Sequence, residues 1–205
     1  MQRRNFIRLV GGGTVVAATA TLSGCLSSAY PSQAVEAWNG PVVNESEPRR
    51  RALAYAITAP NPHNLQPWLA DLREPGVITL STDPQRILPE TDPFGRQILI
   101  GHGAFIELLV IALAEQGLHA EVQLWPQGEL PAQLKDWGAA IKQPVARISV
   151  RPGGQKDALF AHILNRHTVK ENFNTAKTVS EGSLQQLIAN ASTARIKVGG
   201  TVQAD

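Results

Sequence analysis

The sequence predicts an α+β domain built around a buried central helix. Three observations carry that expectation. Residues 96–116 are apolar around nearly the whole helical circumference, as a core helix is. Short runs such as Val77-Ile78-Thr79-Leu80 and Val145 to Arg151 are rich in β-forming residues and too brief for helices. Helices and strands mix without strict β-α-β alternation, which favours α+β over a doubly wound sheet.

The elements follow in order. Residues 25–45, with their Ser, Ala, Pro, Gln and Asn, read as a tether that carries Trp38. Ser46 opens a helix: Glu47 and Pro48 suit its first turn, and nothing breaks 49–59 before Pro60 and Pro62 end it. Residues 68–72 and 76–81 are predicted strands around Glu74-Pro75-Gly76, and 83–95 is a long loop with three prolines. In the 96–116 helix, Phe105, Leu108, Leu109, Ala112 and Leu113 recur at helical spacing, Val110 and Ile111 fill the other side, and Gly117 stops it. A strand is predicted over 119–125, a helix over 131–142 and a strand over 145–151. After the Pro152-Gly153-Gly154 turn, helices are predicted over 155–165 and 180–191, then a strand over 194–198. No short-period repeat is present.

Of 205 residues, 43% are apolar and 18% charged, the balance of a globular chain and not a disordered one. The formal charge of +2 is uneven. Residues 1–24 hold Arg3, Arg4 and Arg8 and no acid, so the rest carries 16 basic against 17 acidic residues, a net of −1. A near-neutral body argues against a nucleic-acid binder, which needs a basic face. Cys25 is the single cysteine, which excludes an intrachain disulfide and a cysteine-based zinc site. Outside the leader no apolar run reaches the roughly 18–20 residues of a spanning helix.

The leader reads as an address. Arg3-Arg4-Asn5-Phe6-Ile7 has the twin-arginine pattern, and the soft apolar stretch from Leu9 to Leu22 is too short and glycine-rich for a stable membrane span. Leu22-Ser23-Gly24-Cys25 resembles a lipoprotein cleavage box, with Cys25 as the lipidated residue. The alternative is a plain secretory signal with an incidental cysteine. The twin-arginine route exports folded proteins, often ones that take up a cofactor first. These features predict a signal peptide over 1–24 and a mature protein in the periplasm or cell envelope, held to the membrane by a lipid on Cys25.

Several chemistries fail on the residues. Gly101-His102-Gly103 is not followed by a dinucleotide-binding pattern, no P-loop is present, and no serine sits in a nucleophile elbow. His162 and His167, five apart, point about 140° away from each other on a helix, so a shared metal is not expected.

Two segments stand out. Ala59-Pro60-Asn61-Pro62-His63-Asn64-Leu65-Gln66-Pro67-Trp68 packs amides, an imidazole and an indole into ten residues stiffened by three prolines, where a helix hands over to a strand. Amide side chains on rigid backbone can read the edge of a heteroaromatic ring; the bland alternative is a stiff connection with polar surface residues. Arg166-His167-Thr168-Val169-Lys170 offers a guanidinium fork, a hydroxyl and an ammonium, a donor set suited to phosphate. Its bland alternative is charge complementing the end of a helix.

Both segments resemble the nitroreductase family of FMN-dependent oxidoreductases. Residues 59–68 are similar to its Ala-Pro-Ser-x-x-Asn-x-Gln-Pro-Trp stretch. Arg166, Thr168, Lys170, Phe173, Val179-Ser180, Leu184 and Leu187 resemble its opening, Arg-x-Ser/Thr-x-Arg/Lys, then Phe, then Val-Ser-x-x-x-Leu-x-x-Leu. Ordinary members carry the opening first. Here it comes about a hundred residues later, an order that resembles the tandem Acg-like branch, in which two related modules are fused. Asp92-Pro93-Phe94-Gly95-Arg96 and Gly101-His102-Gly103-Ala104 look like that branch's middle section.

The resemblance implies a nitroreductase-like mixed sheet with flanking helices. It implies a first module over 46–152 and the start of a second, incomplete one over 153–205, to be completed by further chain or a homodimer partner. It implies FMN, with Arg166, Thr168 and Lys170 on its phosphate and ribityl chain and His167 beside them, and Pro60, Asn61, His63 and Asn64 covering the ring. Asn61 stands where the family has Ser, which alters one flavin-facing donor. The implied activity is two-electron transfer from NAD(P)H through FMN to a small-molecule acceptor, a nitroaromatic, quinone or similar. No side chain need act as acid or base. The alternatives are an envelope lipoprotein that holds flavin without turnover and a structural relic of the fold.

Overall fold

The computed structural model describes residues 32–192 and 197–202. The chain divides into two compact units, one ending at Arg166 and one beginning at His167.

In the first unit, a short helix α1 (Ser32–Val35) runs into a 3-10 turn, Glu36–Asn39, so the predicted tether is partly helical. Helix α2 (Pro48–Ala56) starts one residue later than a Ser46 cap would place it. Glu47 is the N-cap, its carboxylate accepts from the backbone of Arg50, and Pro48 takes the first helical position, where a missing N–H does no harm. Strands β1 (Trp68–Asp71) and β2 (Val77–Thr82) form the expected hairpin. Helix α3 (Arg96–Glu115) follows, then β3 (Leu118–Leu124) and β4 (Pro144–Pro152).

The four strands stand in the order β1-β2-β4-β3 and pair antiparallel throughout. The α+β class is as predicted, an antiparallel sheet with flanking helices around a buried central helix. The chain leaves β2 through α3, skips one position to lay down β3, and returns as β4 into the gap. The register pairs Ile78 with Ile148 and Leu80 with Ala146, so these apolar residues share one face. Helices α2 and α3 cover it: Ala52 and Ala56 from α2, and Phe105, Leu109, Ala112 and Leu113 from α3, close the core. The opposite face is polar, with ion pairs Arg147–Glu74 and Arg151–Glu121.

Helix α3 is long and apolar enough by composition to cross a bilayer, against the sequence reading that no such run exists outside the leader. Half of it is buried in this core. It is not buried on every side: Ile100 is 69% exposed, and Glu107 is exposed as well. Asp92 fixes its start by accepting from the backbone N–H groups of Gln97 (3.0 Å) and Ile98 (3.1 Å).

Two predicted helices are 3-10 turns instead. Residues 131–142 form Leu134–Asp136 and Gly138–Lys142, separated by Trp137, and 155–165 contains only Ala158–His162. Leu134, Trp137 and Ile141 have helical spacing, but they bury themselves as a satellite cluster against Ile87, Leu99 and Leu130 without a continuous helix. In the second unit, residues 167–179 are irregular and α4 (Glu181–Ala191) is helical as predicted, its N-cap Ser180 accepting from Ser183 N. Of the predicted 194–198 strand, Lys197 and Val198 are irregular and 194–196 lie outside the described residues.

Candidate functional site

The 59–68 segment is a braced, strained loop. Helix α2 ends as Thr58 Oγ1 donates to the Tyr55 carbonyl at 2.7 Å. Asn61 then ties the loop to itself: its Oδ1 accepts from Gln66 N at 2.8 Å, and its Nδ2 donates to the Ala59 carbonyl at 3.0 Å. Arg86 reaches in from the β2–α3 connection and donates to the Leu65 carbonyl at 3.0 Å, while Asp83 N donates to the Pro67 carbonyl at 2.8 Å. Helix α3 backs the loop at Gly101, where an added Cβ would lie in van der Waals contact with Asn61 and Pro62 at 3.4–3.6 Å. Trp68 packs its ring 4.8 Å from that of Phe105.

Within this brace three non-glycine residues are left-handed: His63 at φ +51°, Asn64 at +52° and Gln66 at +50°. Such residues are uncommon and persist where the surroundings over-determine them, which is a feature of ligand-holding segments. Their side chains divide into two groups. His63 and Asn64 are exposed, and among the described residues neither side chain makes a hydrogen bond, though the Asn64 backbone N–H donates to the Asn61 carbonyl at 3.3 Å. Asn61 braces the loop, its amide oxygen and nitrogen both bonded to loop backbone. Pro60 is exposed at the start of the loop.

Arg166 closes the first unit. Its Nη2 donates to the Thr58 carbonyl at 2.8 Å, and its guanidinium lies 5.6 Å from the centre of the Trp38 ring. Burial pulls its pKa below the ordinary arginine value. The structure thus brings Arg166 to the residue that precedes the Ala59–Trp68 segment. His167, Thr168 and Lys170 open the second unit on irregular, exposed backbone.

Sequence reasoning missed one buried polar pair beneath this loop. His102 on α3 is fully buried and its Nε2 lies 2.9 Å from Thr82 Oγ1, at the end of β2 opposite Trp68. Its Nδ1 is buried with no hydrogen-bond partner. Burial holds its pKa down at about 4. The available signal was a histidine three positions before Phe105 on an apolar helix. Among the described residues no three His, Cys, Asp or Glu side chains gather as a metal site.

The fold and this loop define an α+β unit that presents a strained polar segment where a core helix passes to an edge strand. Comparison with known proteins adds a context. No protein-family model matches the chain. It is 35% identical over 130 residues to a Mycobacterium tuberculosis protein provisionally named an NAD(P)H nitroreductase, covering 63% of this chain and 35% of that one. It is also 35% identical over 85 residues to acg of the same organism, another provisionally named NAD(P)H nitroreductase, covering 42% of this chain and 25% of that one. The matched region is therefore about a third or less of the length of these relatives. Two solved structures are weakly similar. A provisionally named nitroreductase in complex with FMN from Desulfovibrio desulfuricans has 16% identity and a TM-score of 0.37, covering 69% of this chain and 99% of that one. A provisionally named NADH oxidase from Clostridium acetobutylicum has 19% identity and a TM-score of 0.39, covering 58% and 81%.

Proposed function

We propose that the chain belongs to an FMN-dependent oxidoreductase of the nitroreductase family, of the Acg-like kind. The observation that carries this reading is the strained loop, whose three left-handed residues present an exposed imidazole and amide from a fixed backbone. The 35% identity to provisionally named NAD(P)H nitroreductases supports it.

The residues present fit a flavin mononucleotide in their chemistry. Arg166, Thr168 and Lys170 supply fork, hydroxyl and point-charge donors for a phosphate, with His167 beside them. His63 and Asn64 supply uncommitted polar groups for a ring edge, and Pro60 an apolar surface for its face. When bound, FMN supplies two-electron chemistry between NAD(P)H and a small oxidised acceptor such as a nitroaromatic or quinone. The chain's own part is to grip and to orient. Asn61 and Arg86 hold the loop in its left-handed form, so His63 and Asn64 need no reordering when a ligand arrives. Further chain, or a second copy, supplies the remaining wall. We also propose export through the Arg3-Arg4 leader and lipid anchoring at Cys25 in the envelope; these residues lie outside the described ones.

The purified protein should carry a flavin absorption band that bleaches under NAD(P)H. Arg166→Ala should weaken FMN binding by about tenfold to a hundredfold, the worth of one charge-assisted hydrogen bond. Fluorescence quenching measures that affinity and circular dichroism monitors the fold. A protein that takes up no flavin from excess FMN refutes the reading. A band that does not bleach favours the flavin-holding lipoprotein.

A further inference from the structure

We infer that Trp38, in the segment preceding the first module, is a positioning residue that clamps Arg166 against the start of the 59–68 loop. In its bearing on FMN the inference rests on the function proposed above; the clamp itself stands on contacts within the first unit.

Trp38 lies in the Glu36–Asn39 turn, with the Arg166 guanidinium 5.6 Å from its ring centre, within the reach of a cation–π interaction. The turn is held in place. Gly40 follows it at φ +79°, a left-handed conformation that a side chain would strain. A Cβ there would also sit 3.3 Å from the tip of the Leu164 side chain, which would have to give by a few tenths of an ångström. Tyr55 of α2 lines the same position and packs edge-on against Phe160 at 4.9 Å. The indole therefore meets the guanidinium from a fixed direction. On its other side, the guanidinium donates to the Thr58 carbonyl at 2.8 Å. Thr58 is itself buried and tied to Tyr55. One side chain thus joins three separate stretches: the turn before the module, the end of α2 with the loop it feeds, and the segment that the family resemblance assigns to phosphate.

A long cation held on two sides loses little further freedom when it meets an anion, so the clamp pre-organises the grip. Removing the indole takes away the aromatic contact and leaves the charge and the Thr58 hydrogen bond in place. Trp38→Leu should weaken FMN binding by about threefold to tenfold, the range expected for one partly buried cation–π contact. Trp38→Phe keeps an aromatic face and should restore most of the affinity. In an Arg166→Ala background, Trp38→Leu should change affinity less than about twofold, because the interaction it removes is already gone.

A second measurement needs no flavin. Hydrogen exchange at the Thr58 and Ala59 amides should speed up in Trp38→Leu and in Arg166→Ala, and stay near the parent rate in Trp38→Phe. Equal affinities and equal exchange in parent and Trp38→Leu overturn the inference. So does a Trp38→Leu effect that persists undiminished in the Arg166→Ala background, which would mark a packing role. If the parent binds no FMN, the proposed function fails by itself, and the exchange measurements still decide whether the clamp exists.

Discussion

His102 is the residue whose protonation should destabilise this fold most clearly. It is fully buried, its one polar contact is the Thr82 hydroxyl, and its Nδ1 has no partner to share a positive charge. Burial is the only cause that depresses its pKa, from an ordinary 6.5 to about 4. The unfolded chain therefore binds a proton near pH 6.5, while the folded protein resists it until about pH 4. Between those values the unfolded state holds more protons, so stability rises with pH and falls as the solution is acidified. A gap of that size corresponds to about 3 kcal/mol lost between pH 7 and pH 4, with a slope approaching about 1.4 kcal/mol per pH unit in between. Other groups titrate over the same range, so the difference between two proteins isolates the histidine. His102→Gln removes the titration but keeps a polar group near Thr82. Urea unfolding of both proteins at half-unit steps from pH 7.5 to 4 gives the comparison. The parent should lose about 3 kcal/mol more than His102→Gln across that window, whatever their offset at pH 7. Parallel curves would show that the imidazole takes up its proton in the fold without penalty, and that the burial argument is wrong.

Other expectations follow from single contacts. Gly95→Ala should destabilise by about 2–4 kcal/mol, because the residue sits at φ +64° and a Cβ would run into the Trp137 ring; an unfolding midpoint equal to the parent's would refute the crowding. Asp92→Ala removes the acceptor for two N–H groups at the start of α3 and should lose about 1–2 kcal/mol, read by the same denaturation. In cells, Arg3→Lys with Arg4→Lys should leave precursor in the cytoplasm, since a receptor that reads guanidinium pairs rejects lysine at equal charge. Mass spectrometry should find a lipidated N-terminus in the parent and none in Cys25→Ala; the same unlipidated terminus in both would refute the anchor.

By itself the sequence determined what depends on near neighbours. Apolar spacing over 96–115 demands a helix with a buried face, and the β-branched runs at 77–82 and 144–152 become strands because their pattern suits a pleated surface. Ser180 and Pro48 mark helix starts through bonds and angles that span one turn. The two chemistry-bearing segments were legible as clusters of residue types, though not as geometry. Tertiary structure decided the rest. The apolar residues of 131–142 fit a helix by spacing, yet Gly138 at φ +44° lets two 3-10 turns bury Leu134, Trp137 and Ile141 against a wall that the local sequence does not contain. Asn61 braces its own loop by accepting from Gln66 N, a tie that exists only because the backbone turns left-handed there. His102 became a base of lowered pKa because the core excludes water around it, and β2 places Thr82 beside it as its hydrogen-bond partner. Trp38 and Arg166 lie at opposite ends of the first unit's described chain, and neither predicts the other. Their meeting depends on the path of every strand and helix between them, which short-range sterics do not encode.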